Sequence, residues 1–191
     1  MKINKRTLLF FFILIAVTTI VKVLCAPNLN LSGFSATIAV ALFAGFSIKD
    51  ARLAILLPLL SLFISDVLIQ LLYTFGGFKF PGFYDNQWIN YVLIAAITFL
   101  GMAFRKGGAA GIIASAVVAP GIFFVVSNYI VWATQSAMLG YSNDFGGLMA
   151  CYRAGLPFYR NSILSTIIFL PVFIAAYHWL LSGKFTLQTA K

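Results

Sequence analysis

The residues best suited to chemistry in this chain are a few polar side chains inside long apolar runs. Asp66 lies within the run Leu62–Gln70, and Asn128 and Trp132 stand four residues apart in another run. Charged and amide side chains are costly in a membrane, so they usually face a cavity or the interior of a bundle. These residue types predict recognition of a bound molecule through hydrogen bonds and charge.

No arrangement for covalent catalysis is evident. The chain has one histidine, His178, four aspartates and no glutamate. It lacks the zinc-protease, serine-hydrolase, phosphate-loop and Cys-x-x-Cys motifs. We therefore expect no enzyme activity, no cofactor and no metal site. A lipid-modifying enzyme that uses His178 or Cys151 is the least favoured alternative.

The composition indicates an integral membrane protein. Hydrophobic residues make up 62% of the 191 residues and charged residues only 9%, against roughly 25% charged residues in soluble domains. The net charge of +9 comes from Lys and Arg spread between the apolar runs. Such charges orient helices or contact acidic lipid headgroups, so we expect no nucleic-acid partner.

The fold predicted for residues 1–191 is a single all-α membrane domain with about six transmembrane helices, because each crossing needs about 20 residues. The first apolar run follows basic residues, as in a signal peptide, but its length favours an uncleaved helix. The six helices are predicted at about residues 8–24, 33–48, 53–75, 88–104, 109–132 and 161–181.

The basic residues predict the orientation. Nine lie on one side of the predicted bundle: Lys2, Lys5, Arg6, Lys49, Arg52, Arg105, Lys106, Lys184 and Lys191. Three lie on the other: Lys79, Arg153 and Arg160. Lys22 is near the outer end of the first helix. Since positive loops stay cytoplasmic, both termini are predicted in the cytoplasm, for a protein of the bacterial cytoplasmic (inner) membrane.

The predicted outer loops, at residues 25–32, 76–87 and 133–160, are longer than the cytoplasmic turns, and the second and third are rich in aromatic residues. Their aromatic residues fit either a belt at the membrane interface or a lid over an outward-facing site. The polar residues in the outer half of the predicted helix bundle would form that outward-facing site. The candidate substrate-binding residues are Asp66, Asn128, Trp132, Tyr152, Arg160 and Asn161.

Structural roles remain open for each candidate. Asp66 can pair with Arg160 as a brace between helices, and Asn128 can bond a neighbouring backbone. Trp132 can anchor the interface instead of stacking on a ligand. Cys25 and Cys151 are both predicted on the outer side, as a disulfide or as free thiols. The small residues of the second helix suit close packing inside the bundle or against a partner subunit.

Several stretches resemble a group of small bacterial six-helix membrane proteins. That group is similar to the substrate-binding S components of energy-coupling-factor vitamin transporters, and to the solitary vitamin B12 transporter that shares their fold. The first helix lacks the Ala-xxx-Ala pattern by which S components often dock their energising subunit. The stretches that carry the resemblance are Ala41–Gly45, Arg52, Pro58, Ser65-Asp66, Asn128–Trp132 and Cys151–Asn161.

The resemblance implies a protein that binds a small vitamin-like nutrient from outside and takes part in its uptake. Energy would come from a separate ATPase and transmembrane module or from a gradient. The alternative hypothesis is a structural or assembly subunit of a membrane complex, in which the same polar residues only brace the helices.

Overall fold

The structure is a computed structural model that describes residues 5–182 and, within that range, contains helices and no strand. Lys2, Lys184 and Lys191 of the predicted charge distribution lie outside these residues. Short 3-10 turns occupy Leu29–Leu31 and Arg105–Gly107. The α-helices are α1 (Lys5–Cys25), α2 (Thr37–Ser47), α3 (Ala51–Thr74), α4 (Trp88–Phe104), α5 (Gly108–Leu139) and α6 (Phe145–Ser182).

The long helices are apolar enough to cross a membrane. The helices α1 and α3 and the greater part of α6 each qualify, as does the continuous stretch Trp88–Leu139 that contains α4 and α5. Large hydrophobic side chains cover the exterior of the bundle, including Phe12, Val92 and Ile113. Because water would not solvate such a surface, the predicted all-α membrane bundle is confirmed.

The shortest helix, α2, forms the core of the bundle. Its 11 residues extend about 16 Å, about half of the hydrocarbon thickness. The prediction of a spanning helix at residues 33–48 was therefore wrong in length. All residues from Thr37 to Gly45 are buried, against α3, α4 and α6. The small residues of this segment thus pack inside the bundle.

Close packing explains why α2 contains a glycine near its end. A Cβ atom added at Gly45 would lie 2.4 Å from the backbone carbonyl oxygen of Thr98 and 2.8 Å from the Gly101 Cα. The Arg105 guanidinium then donates hydrogen bonds to the carbonyl oxygens of Gly45 and Ile48, both at 2.6 Å. The end of α2 is therefore joined to the end of α4.

A helical hairpin replaces the predicted outer loop at residues 133–160. The helix α5 continues to Leu139 and α6 begins at Phe145. Asp144 caps α6 by accepting a hydrogen bond from the Gly147 amide at 2.8 Å. This bond and another from the Ser142 hydroxyl lower the pKa of Asp144. The prediction failed because the glycines and polar residues of this segment resemble a loop, whereas the cap initiates a helix.

Candidate functional site

A cavity of about 600 Å³ lies at the end of the bundle where α1 and α3 end and α4 begins. The segment between α1 and α2, the α3–α4 loop and the middle parts of α5 and α6 complete its wall. Small-molecule sites commonly have this volume and a mainly apolar wall with a few polar groups. The polar side chains of this wall include Lys22, Ser35, Thr37, Asp66, Gln87, Asn90, Ser127, Asn128 and Ser162.

The carboxylate of Asp66 joins three helices at the cavity wall. Asp66 is only 2% exposed. One carboxylate oxygen, Oδ1, accepts from the Lys22 ammonium of α1. The other, Oδ2, accepts from Gln87 Nε2 at 2.5 Å and from the Tyr91 hydroxyl at 2.7 Å. A buried charge requires such partners, so this cluster satisfies Asp66 within the protein.

The ion pair is different from the one that the sequence suggested. Asp66 pairs with Lys22 and not with Arg160, which is exposed on α6. The helix α1 packs directly on α3, which brings the Lys22 ammonium to the Asp66 carboxylate and to the Ser65 hydroxyl, 3.2 Å away. The alternative in which Asp66 pairs with Arg160 as a brace between helices was therefore wrong.

The α3–α4 loop, residues 75–87, forms another part of the wall. Gln70 Oε1 accepts hydrogen bonds from the amides of Gly82 and Phe83 at 3.1 and 3.2 Å. The loop lies so close to α3 that a Cβ atom at Gly82 would be 2.0 Å from the Asp66 carbonyl oxygen. Phe80 and Tyr84 of this predicted outer loop lie on the cavity wall.

Two of the six candidate residues line the cavity, namely Asp66 and Asn128. Asn128 donates through Nδ2 to the Phe124 carbonyl oxygen of its own helix at 2.9 Å. Its side chain also packs against α6, because a Cβ atom at Gly155 would lie 2.4 Å from Asn128 Oδ1. The amide therefore stands at the α5–α6 contact beside the cavity.

The other four candidates lie outside the cavity wall. Trp132 Nε1 donates to the Ser142 carbonyl oxygen at 3.0 Å, which anchors the α5–α6 turn. The Tyr152 hydroxyl donates to the Val125 carbonyl oxygen at 2.9 Å. Arg160 is exposed. These side chains do not line this cavity, and α5 and α6 continue as helices beyond the ends predicted for them.

Asn161, the fourth of these, supports the cavity from behind. It is 8% exposed, and its Nδ2 donates to the carbonyl oxygens of Asn30 and Ser32 at 2.8 and 2.9 Å. Residues 31–35 form part of the cavity wall. Asn161 therefore fixes the α1–α2 segment against α6 without facing the cavity itself.

The candidate list omitted Lys22 and Gln87. A lysine at the end of an apolar helix is itself a signal, because an ionisable group at membrane depth requires a partner or a function. Lys22 was predicted near the outer end of the first helix, but its pairing with Asp66 was not predicted. Gln87 carried no signal of its own, since it directly precedes α4 in a polar loop.

Aromatic side chains supply much of the apolar wall. Phe124 and Tyr159 stack with ring centroids 4.8 Å apart, and both line the cavity. Phe34, Phe80, Tyr84 and Phe123 lie on the wall as well. The helix α2 begins here with Thr37 and Ile38, so the positive end of its dipole faces this space.

Within residues 5–182, no group of three or more His, Cys, Asp or Glu side chains is arranged to hold a metal ion. Both cysteines are free thiols. Cys25 lines the cavity, one helical turn from Lys22, while Cys151 is buried at 2% exposure. The cavity thus combines an ion pair, amide groups, a thiol and aromatic rings.

This architecture defines a small helical membrane protein with a polar and aromatic cavity at one end of its bundle. The chain belongs to DUF6580, a family of unknown function, whose model matches residues 1–188. No curated protein and no solved structure has a significant match to it.

Proposed function

We propose that the protein binds a small molecule in this cavity and takes part in its uptake across the bacterial cytoplasmic membrane. The observation that carries the proposal is the cavity of about 600 Å³ with the Lys22–Asp66 ion pair on its wall. Ionisable groups at membrane depth usually mark substrate or ion pathways. The aromatic wall would enclose the apolar part of the molecule.

The distribution of basic residues supports binding from outside. Six basic residues of the described chain lie at the end opposite the cavity, namely Lys5, Arg6, Lys49, Arg52, Arg105 and Lys106. Four belong to the segments at the cavity end, namely Lys22, Lys79, Arg153 and Arg160. The positive-inside rule then directs the cavity outward. In this arrangement α2 and the non-helical segment before it together cross the membrane once. The bundle then has six crossings, and both termini lie in the cytoplasm.

The resemblance to S components supports a role in uptake of a vitamin-like nutrient, with energy from a separate ATPase and transmembrane module or from a gradient. The alternative is a structural or assembly subunit. It is favoured by the cluster around Asp66, which joins α1, α3 and α4 whether or not a ligand binds.

A thermal-shift screen of the detergent-purified protein separates the two functions. The panel contains vitamins, nucleobases, flavins, cobamides and amino acids, at concentrations up to the millimolar range. A ligand at 100 times its dissociation constant should stabilise the fold by about 2.7 kcal/mol. A shift that Lys22→Met abolishes and Lys79→Met preserves supports binding at this site. No shift in a folded sample would favour the structural subunit.

A further inference from the structure

The charges that line the cavity narrow the class of ligand. Among the lining residues, only Lys22 and Asp66 carry charged side chains. The Asp66 side chain is 3% exposed, and three donors already occupy its oxygens. A ligand therefore has little access to this carboxylate. Asp66 holds the Lys22 ammonium in place at the cavity wall.

The ammonium of Lys22 is more accessible. Its side chain is 24% exposed, and it donates to Asp66 and to Ser65. An ammonium has three N–H donors and no acceptor, so one donor is left for the cavity. A charged acceptor forms a shorter and stronger hydrogen bond with such a donor than a neutral acceptor does.

The rest of the wall suits a planar ring. Phe123, Phe124 and Tyr159 lie on the α5–α6 side, and Phe34 and Phe80 belong to the two segments that cover the cavity end. Aromatic side chains contact a planar ring through stacked and edge-to-face arrangements. The wall therefore pairs one accessible cation with a surface for a ring.

From these features we propose that Lys22 is the anion-binding residue of the cavity and that the ligand is an aromatic carboxylate. Asp66 is a positioning residue that acts through Lys22. This inference rests on the proposed binding function and adds the chemical class of the ligand and the residue that selects it.

Matched pairs of an aromatic acid and its amide provide the test, because they share size and shape and differ in charge. The probes are benzoate and benzamide, nicotinate and nicotinamide, and 4-aminobenzoate and 4-aminobenzamide. The first readout is the melting temperature of the wild-type protein in detergent. The second is the rate at which Cys25 is alkylated in the Cys151→Ala variant, since the Cys25 thiol lines the same cavity.

At least one acid should raise the melting temperature and slow Cys25 alkylation. The apparent Kd of that acid, taken from the concentration dependence of either effect, should be about tenfold or more below the Kd of its amide. Lys22→Met should remove the difference between acid and amide, Lys22→Arg should retain it, and Lys79→Met should leave it unchanged. The wild-type comparison requires no variant to fold.

Equal effects of acid and amide, or no effect of any pair, would overturn the aromatic-carboxylate inference. The proposed binding function would still stand if a compound of the wider panel shifted the protein. If no compound of either set had an effect, both would fail.

Discussion

The Lys22 ammonium and the Asp66 carboxylate form a salt bridge between residues 44 positions apart. The bond connects the last turn of α1 to the middle of α3 at the cavity wall. Asp66 is buried while Lys22 is partly exposed to the cavity. The two partners therefore differ in role: one is enclosed by the protein, and the other is accessible from the cavity.

Removal of the negative partner should destabilise the fold. Asp66→Asn leaves the Lys22 charge without its partner, and loss of one member of a buried pair typically costs about 3 kcal/mol or more. The double variant Lys22→Met/Asp66→Asn should recover part of this loss, because it removes the unpaired charge. Chemical denaturation in detergent measures both. Asp85→Asn is the control, since Asp85 is exposed. Equal stability of Asp66→Asn and Asp85→Asn would contradict the assignment.

Loss of the Asn161 amide should loosen the cavity wall. Asn161→Ala removes the hydrogen bonds to the carbonyl oxygens of Asn30 and Ser32, at a cost of about 1–3 kcal/mol. Because these bonds fix the α1–α2 segment, alkylation of Cys25 should also become faster. Arg160→Gln changes the exposed neighbouring residue and should alter neither quantity. An unchanged alkylation rate in Asn161→Ala would show that this contact does not control access.

A methyl group at Gly45 should disturb the α2–α4 contact. The added Cβ would lie 2.4 Å from the backbone carbonyl oxygen of Thr98, and overpacking of this kind typically costs about 1–3 kcal/mol. Gly107→Ala is the matched control, since nothing lies within 4 Å of the Cβ position there. Melting temperatures in detergent measure both changes. An unchanged melting temperature in Gly45→Ala would mean that α2 and α4 can separate at little cost in free energy.

The thiol of Cys25 can report the orientation of the cavity. In intact cells that carry the Cys151→Ala variant, a membrane-impermeant maleimide should label Cys25 if the cavity opens outward. Inside-out vesicles should give little labelling until detergent is added. The reverse pattern would place the cavity on the cytoplasmic side and would contradict the proposed topology. The double variant Cys25→Ala/Cys151→Ala controls for background.

The α6 cap should give a pH-dependent contribution to stability. Hydrogen bonds lower the pKa of Asp144 in the folded state, so its charge stabilises the fold above its unfolded pKa of about 3.9. This contribution is lost as the pH falls through the folded pKa. Asp144→Asn should therefore melt below the wild type at neutral pH, and the difference should shrink below pH about 4. If the melting-temperature difference between Asp144→Asn and the wild type stayed constant with pH, the Asp144 charge would be excluded as its cause.

The local sequence determined where the hydrophobic helices lie. Residues 88–104 were predicted with the bounds that α4 has, and α1 and α3 differ by one to three residues at each end. Membrane helices are long apolar runs that polar or basic turns interrupt, so a single stretch of sequence contains the signal. Asp66 and Asn128 were identified for a related reason, because polar residues stand out against such runs.

Tertiary structure decided which helices are neighbours and therefore which polar groups meet. Asp66 was a candidate from sequence, but only the packing of α1 on α3 selects Lys22 in place of Arg160. Asn161 faces the α1–α2 segment and not the cavity for the same reason. Apolar runs pack in many orders with similar burial, so the order of helices depends on close contacts such as Gly45 with Gly101. Those contacts involve residues distant in the chain, and local hydropathy does not encode them.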